Sequence, residues 1–393
     1  MESHDRDVRK NAYNAVYDAY KELINTIASA YNYNTKTDVV SARIRKYESA
    51  RAAALSGDNI PAEVYDNLVA EVHKNLPAMH RYVELRKKLL GVDKLYMYDM
   101  YVPLIKLPET SVSFEEGLDI MRNALQPLGE EYLTKMNKGI EEGWIDVYEN
   151  KGKTSGAYSF GCYDSYPYIL LNYTDTLKDV FTIIHEMGHS MHSRYTRDEQ
   201  PYIYGSHSIF TAEVASTVNE SLLMQHLLRT EDEKEMRKYL LNMHLEEFRT
   251  TLFRQTMFAE FEDITHKTIE SGETLTAEWM CQQYEDLNAQ YYGSAVEKDD
   301  VIRYEWARIP HFYNAFYVYK YATGYSAATA ISKKILTEGK PAAQDYIRFL
   351  KTGESDHPIE LLKIAGVDMS SPLPVQQAME TFNQLLDEFE SLL

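Results

Sequence analysis

Cysteine is nearly missing from this chain: 393 residues hold two, Cys162 and Cys281, far apart. That scarcity excludes a disulfide framework and fits a reducing compartment, so a cytoplasmic location is expected. No apolar run reaches about 18 residues, and no transmembrane helix is expected. The start, Met1-Glu2-Ser3-His4-Asp5-Arg6-Asp7, lacks the apolar core of a signal peptide. Positive charge is in deficit. Lys and Arg number 41 against 60 Asp and Glu, a net charge of −19. Neither nucleic acid nor an anionic membrane surface is expected as a partner. The sequence sets no oligomeric state. No low-complexity tract is present, so the chain reads as compact and without long linkers. The phosphate-loop pattern G-x-x-x-x-G-K-[ST] is absent, so Gly152 and Gly156 do not cradle a phosphate.

The pattern that is present is mostly helical. Ala12, Val16, Ala19, Tyr20, Leu23 and Ile27 recur at helical spacing, as do Val64, Leu68, Val72, Leu76, Tyr82, Leu85 and Leu89. Pro77 is expected to break or kink the second run. Residues 93–112 read as a connector, and helices are expected at about 114–126 and 129–143. From Ile145 to Tyr173, Gly, Ser and Tyr dominate, and Tyr168–Tyr173 reads as a strand. Most of the chain beyond residue 175 reads as helix, including a long one near 231–270. The expected fold is mainly α with one small sheet. The expected division is a helical subdomain over 1–105 and a second region over 106–393. An edge strand in that sheet could bind an extended peptide through main-chain hydrogen bonds.

One motif carries chemistry. His185-Glu186-Met187-Gly188-His189 reads H-E-x-x-H inside an apolar run, Val180 to Met191. On a helix, positions i and i+4 share a face. Two imidazoles there can hold one Zn²⁺, and the carboxylate between them can reach a metal-bound water as general base. Thr174 or Asp175 is placed to cap this helix. Gly188 in mid-helix costs about 1 kcal/mol relative to Ala, so close approach of another backbone or of substrate, or simple helix packing, is expected there.

A catalytic zinc site usually has three protein ligands. His192 shares the face but lies seven residues from His185, a rise of roughly 10 Å. The H-E-x-x-H-x-x-G-x-x-H pattern fails, with His192 in place of Gly and Tyr195 in place of His. A carboxylate from a second helix remains. His207 to Leu228 is apolar at helical spacing and carries Glu213, Ser216 or Thr217, and Glu220 on one stripe. Two carboxylates there suit a ligand and an acceptor for an imidazole N–H.

These residues, His185–His192 and Thr211–Ser216, resemble the thimet-oligopeptidase-like zinc metallopeptidases, and within them the oligoendopeptidase F branch. The resemblance extends to Arg86–Gly91, Tyr98–Tyr101, Lys151–Tyr158 and Arg308–Tyr313. It implies one zinc per chain held by His185, His189 and Glu213, with Glu186 as base, and oligopeptides as substrates. It also implies a substrate channel, with residues 1–105 as one wall, 106–393 as the catalytic region and the Lys153–Tyr158 stretch along it. A His and tyrosines bind the transition state in this family. His311 resembles that His, Tyr313 and Tyr317 fit best, and Tyr321 fits less well. Tyr313, Tyr317, Tyr321 and Tyr325 recur every four residues, so one helical stripe is expected. Relatives carry a sizeable N-terminal region, and this chain begins partway into their pattern. The function expected is hydrolysis of oligopeptides by a metal-activated water. Two rivals are a zinc-containing peptide-binding protein of low activity and a zinc hydrolase of small amides.

Overall fold

A computed structural model of the chain describes residues 1–106 and 111–393; residues 107–110 of the expected connector lie outside the described residues. The chain forms two compact units, one of Met1–Lys106 with Leu245–Ala322, the other of Leu107–His244 with Thr323–Leu393. The grouping follows packing rather than chain order. Residues 245–322 join the N-terminal helices instead of continuing the region 106–393.

The first unit is built from helices Arg6–Glu22, Ile24–Ile44, Ala50–Ser56 and Ala62–Leu90, with Arg254–Glu270 and Ala277–Tyr292 from later in the chain. Aromatic rings join these segments. Tyr31 packs on Phe261, Trp306 and Phe312 with centroids 6.1–6.3 Å apart. Glu305, 1% exposed, accepts from Arg254 at 2.7 Å, Arg308 at 2.6 Å and Tyr17 at 3.2 Å, and also from Tyr284. Paired this way, a buried carboxylate avoids the cost of an isolated charge. Helix Ala62–Leu90 runs through Pro77 without a break. The expected long helix near 231–270 is a continuous helical run, Lys234–Glu247 and Arg254–Glu270 joined by a π-helical turn at Phe248–Phe253; such turns insert one residue into the helical ladder.

The second unit holds helices Phe114–Ala124, Glu130–Glu141, Leu177–Glu199 and Ile209–Thr230, the last three helices of the chain, and a small sheet. Its strands are β1 (Ile145–Asp146), β2 (Tyr158–Phe160) and β3 (Tyr168–Leu170), in the order β1-β3-β2. β1 runs parallel to β3, and β2 antiparallel with Ser159 opposite Ile169. The sheet therefore ends in β2. Ile169 gives its N–H to Trp144 on the β1 side. Main-chain groups of one residue point to one side of a strand, so Ser159, opposite Ile169, turns its own N–H and C=O to the open edge.

Candidate metal centre

The helix Leu177–Glu199 carries the H-E-x-x-H motif. Its start is fixed at Thr176, not at Thr174 or Asp175: the Thr176 hydroxyl accepts from the Asp179 N–H, and the Asp179 carboxylate accepts from Thr176 and from Thr174. This reciprocal cap satisfies otherwise orphaned N–H groups. Asp175 is instead in the left-handed region, with φ 58°, and turns the chain into the cap. Val180, Ile183, Ile184, Met187 and Met191 are buried and press the helix into the unit.

Against it lies Ile209–Thr230, with Val214, Ala215, Val218 and Leu222 buried. Gly188 explains how close the two come. A Cβ there would sit 2.6 Å from Ser216 Cα and 2.7 Å from the Ala215 carbonyl oxygen. Only glycine admits this approach of two backbones. Asn219 adds a cross-link, its amide donating to the Ile184 carbonyl at 3.2 Å.

The close packing brings three groups to one point. His185 Nε2 and His189 Nε2 are 3.1 Å apart. Glu213 Oε2 lies 3.6 Å from each. A tetrahedral ion with bonds of about 2.0–2.1 Å sets ligand–ligand separations of about 3.3–3.4 Å. The triangle of two nitrogens and one oxygen brackets that value, so these residues fit a single zinc-like cation. Beyond them, His185 Nδ1 meets Glu220 Oε1 at 3.2 Å, and His189 bonds the main chain of Ala212. Each imidazole thus has its far side held and its Nε2 turned inward.

Electrostatics point the same way. Burial alone would lower His185, but the hydrogen bond and charge of Glu220 outweigh it and hold the imidazole at about 9. Burial and the neighbouring His185 cation push His189 down to about 4. A metal ion would need the Nε2 of both imidazoles unprotonated, so its binding would release a proton from His185.

Glu186 is 7% exposed. Burial raises its carboxyl above the usual range, against the opposing pull of His185 and a hydrogen bond from the Ser159 main chain. A carboxylate with raised affinity for protons suits a general base. Ser159 shows no sequence signal for this role beyond its place in a short strand. Its hydroxyl also meets Ser190 Oγ at 2.8 Å, tying the open strand to the motif helix. At the strand's start, Gly156, Ala157, Asn172, Asp179 and Thr182 line a cavity of about 250 Å³.

His192 stays outside the triangle. It is buried, and its ring stacks on His207 at 4.2 Å.

His311, Tyr313, Tyr317 and Tyr321 belong to the first unit. His311 stacks on Tyr317 with centroids 5.8 Å apart, and the Tyr321 hydroxyl donates to Tyr317 Oη at 3.4 Å. Tyr313 is not with them; its ring faces Tyr31 at 5.9 Å. The expected single helical stripe is absent. Pro310–Tyr313 is a 3₁₀ turn, Phe316 takes a positive φ, and the helix begins only at Tyr319. Tyr321 and Tyr325 are thus helical, while Tyr313 and Tyr317 are not.

In a mainly helical fold, two imidazoles and a carboxylate converge beside a second, buried carboxylate in a group that could hold a metal ion. The sequence profile of peptidase family M3 matches residues 1–381, and the chain belongs to that family. It is 53% identical over 393 residues to the Oligopeptidase PepF of Bacillus subtilis, covering all of this chain and 59% of the relative. The crystal structure of a putative peptidase from Chlamydophila abortus is similar at a TM-score of 0.94 and 43% identity, covering all of this chain and 66% of that one. That of oligoendopeptidase-F from Enterococcus faecium is similar at 0.83 and 42%, covering all of this chain and 64% of that one. The chain thus spans 59–66% of the length of these relatives.

Proposed function

We propose that this chain is a cytoplasmic zinc endopeptidase acting on oligopeptides, with one zinc held by His185, His189 and Glu213. The observation that carries this reading is the convergence of those three ligand atoms beside the buried Glu186. When bound, zinc supplies Lewis acidity that brings the pKa of a water toward neutrality. Glu186 takes the proton of the attacking water and returns it to the leaving amine. The Ser159 N–H holds Glu186 in place. The Ser159 carbonyl, on the outer edge of β2, offers an acceptor to an extended peptide. His311 and Tyr317, by resemblance to the family, donate to the oxyanion of the tetrahedral intermediate. Tyr321, hydrogen-bonded to Tyr317, supports them better than Tyr313 does. No helix among the described residues is long and apolar enough to cross a membrane.

The test is metal analysis of the purified protein together with cleavage of a mixed oligopeptide pool before and after chelation. Close to one zinc per chain and chelator-sensitive cleavage are expected. Peptides bound but never cut by the zinc-loaded protein would favour a binding protein. Small amides cut as fast as peptides would favour an amide hydrolase.

A further inference from the structure

Phe316 has a φ of 55°. A bulky aromatic residue rarely enters that left-handed region, and it persists there only where its surroundings hold it. The other non-glycine residues with positive φ among the described residues, Lys46, Asn59 and Asp175, are polar and flank helices. Phe316 is 2% exposed. Its ring lies between Tyr65, at 5.9 Å, and His266, at 4.6 Å. Its N–H donates to Glu262 Oε1 at 3.0 Å.

Glu262 is itself unusual. It is fully buried, on helix Arg254–Glu270. Its second oxygen has no hydrogen-bond partner among the described residues. Burial pushes its carboxyl well above the usual carboxylate range. A buried carboxyl with a single side-chain hydrogen bond is costly, and an apolar side chain would serve packing better. Here a costly group holds a costly backbone conformation. The pair is poorly suited to stabilising the unit, and the next residue after Phe316 is Tyr317, stacked on His311.

We infer that Glu262 is a positioning residue: by accepting the Phe316 N–H it fixes the left-handed turn that sets the His311–Tyr317 pair. The inference rests on the reading that this pair receives the oxyanion. Glu262 touches no substrate. Its effect passes through one backbone N–H to the adjacent side chain.

The experiment measures kcat, KM and zinc content of the zinc-loaded enzyme with Glu262→Gln, Glu262→Met, Tyr317→Phe and the double variant Glu262→Met/Tyr317→Phe. Gln keeps a carbonyl oxygen for Phe316 and is expected to retain near-wild-type kcat. Met loses the acceptor and is expected to lower kcat by up to about 10²-fold, the scale of a small misplacement of a catalytic group, with KM and zinc unchanged. Because both act through the same ring, the double variant should be no slower than Tyr317→Phe by more than about twofold. A Glu262→Met enzyme with wild-type kcat beside a slow Tyr317→Phe enzyme would overturn the inference and leave the oxyanion reading standing. Glu262→Gln as slow as Glu262→Met would overturn it too. Wild-type kcat in both Tyr317→Phe and His311→Ala would remove the oxyanion reading itself. If Glu262→Met does not fold, Phe316→Asn and Phe316→Val carry the same test. Asn tolerates the left-handed region and Val does not, so Asn should keep kcat and Val should lose it; a Val variant at the wild-type rate overturns the inference.

Discussion

Two pairs of imidazoles meet along the motif helix, and they differ in one respect. His185 and His189 face Glu213 and Glu220. His192 and His207 stack at 4.2 Å, and His192 also faces Phe349. His192 is buried and the other three imidazoles are part-exposed, and in both pairs loss of solvent opposes a charge. Where carboxylates stand by, one imidazole is held at about 9 and a cation is welcome. Where they do not, His207 is pushed down to about 4 and His192 well below its usual range, each by burial first. Two imidazoles alone therefore do not make a candidate metal site; the acids of the second helix complete one, and Gly188 lets that helix come near enough.

The comparison is broken most severely by removing the base, which neither pair contains. Glu186→Gln should keep zinc and the folded state while cleavage of oligopeptides falls by several orders of magnitude, since the general base and the activated water act as a unit. Zinc analysis and turnover on one sample decide this. A Glu186→Gln protein cutting near the wild-type rate would sink the mechanism.

The next test asks which acids matter. Glu213→Ala should lose most of the zinc. Glu220→Gln should keep the metal but weaken its affinity by about 10–100-fold, as loss of an outer-shell carboxylate does. His192→Phe should leave affinity unchanged. Metal titration against a competing chelator ranks the three. Equal affinity in Glu213→Ala and wild type would move the third ligand elsewhere.

How far these roles are legible in the sequence depends on how each is built. The metal triangle rests on two regular helices, so a spacing of four and an acidic stripe are enough to bring His185, His189, Glu213 and Glu220 together. The use of Gly188 is open between several causes in the sequence, because only the structure shows Ser216 behind it. Ser159 could not be found, since its contribution is a main-chain N–H aimed by strand order. The tyrosine stripe fails for the same kind of reason. Periodicity assumes one continuous helix, and the left-handed turn at Phe316 resets the register between Tyr313 and Tyr321. The grouping of residues 245–322 with the N-terminal helices rests on ring contacts far apart in sequence, which no local pattern reports.

Gly188→Ala sharpens the comparison at the backbone. The added methyl would stand 2.6–2.9 Å from Ser216 and Ala215 main-chain atoms, neither a flexible tip. The two helices must separate. Overpacking of this kind costs about 1–3 kcal/mol, read as a lower midpoint in denaturant. Because Glu213 lies one turn before Ser216, zinc affinity should fall as well. Lower stability with unchanged affinity would show that the helices slide without moving the ligand.

The smallest expected effect concerns the pair without acids. His207 titrates at about 4 in the folded protein, against about 6.5 in an unfolded chain. Between those values the unfolded chain binds the proton and the folded protein does not, so folding stability rises with pH across the window. The penalty is absent above about 6.5 and grows as pH falls toward about 4. His207→Phe keeps a ring against His192 and has nothing to protonate. The metal-free variant should therefore lose less stability than metal-free wild type on going from pH 7 to pH 4.5, measured as the change in denaturant midpoint. Comparing the two metal-free proteins removes the contribution of the metal ligands, which titrate in both. Parallel pH curves would mean that the His207 imidazole is protonated in the folded state, and that the second pair is not the uncharged counterpart of the first.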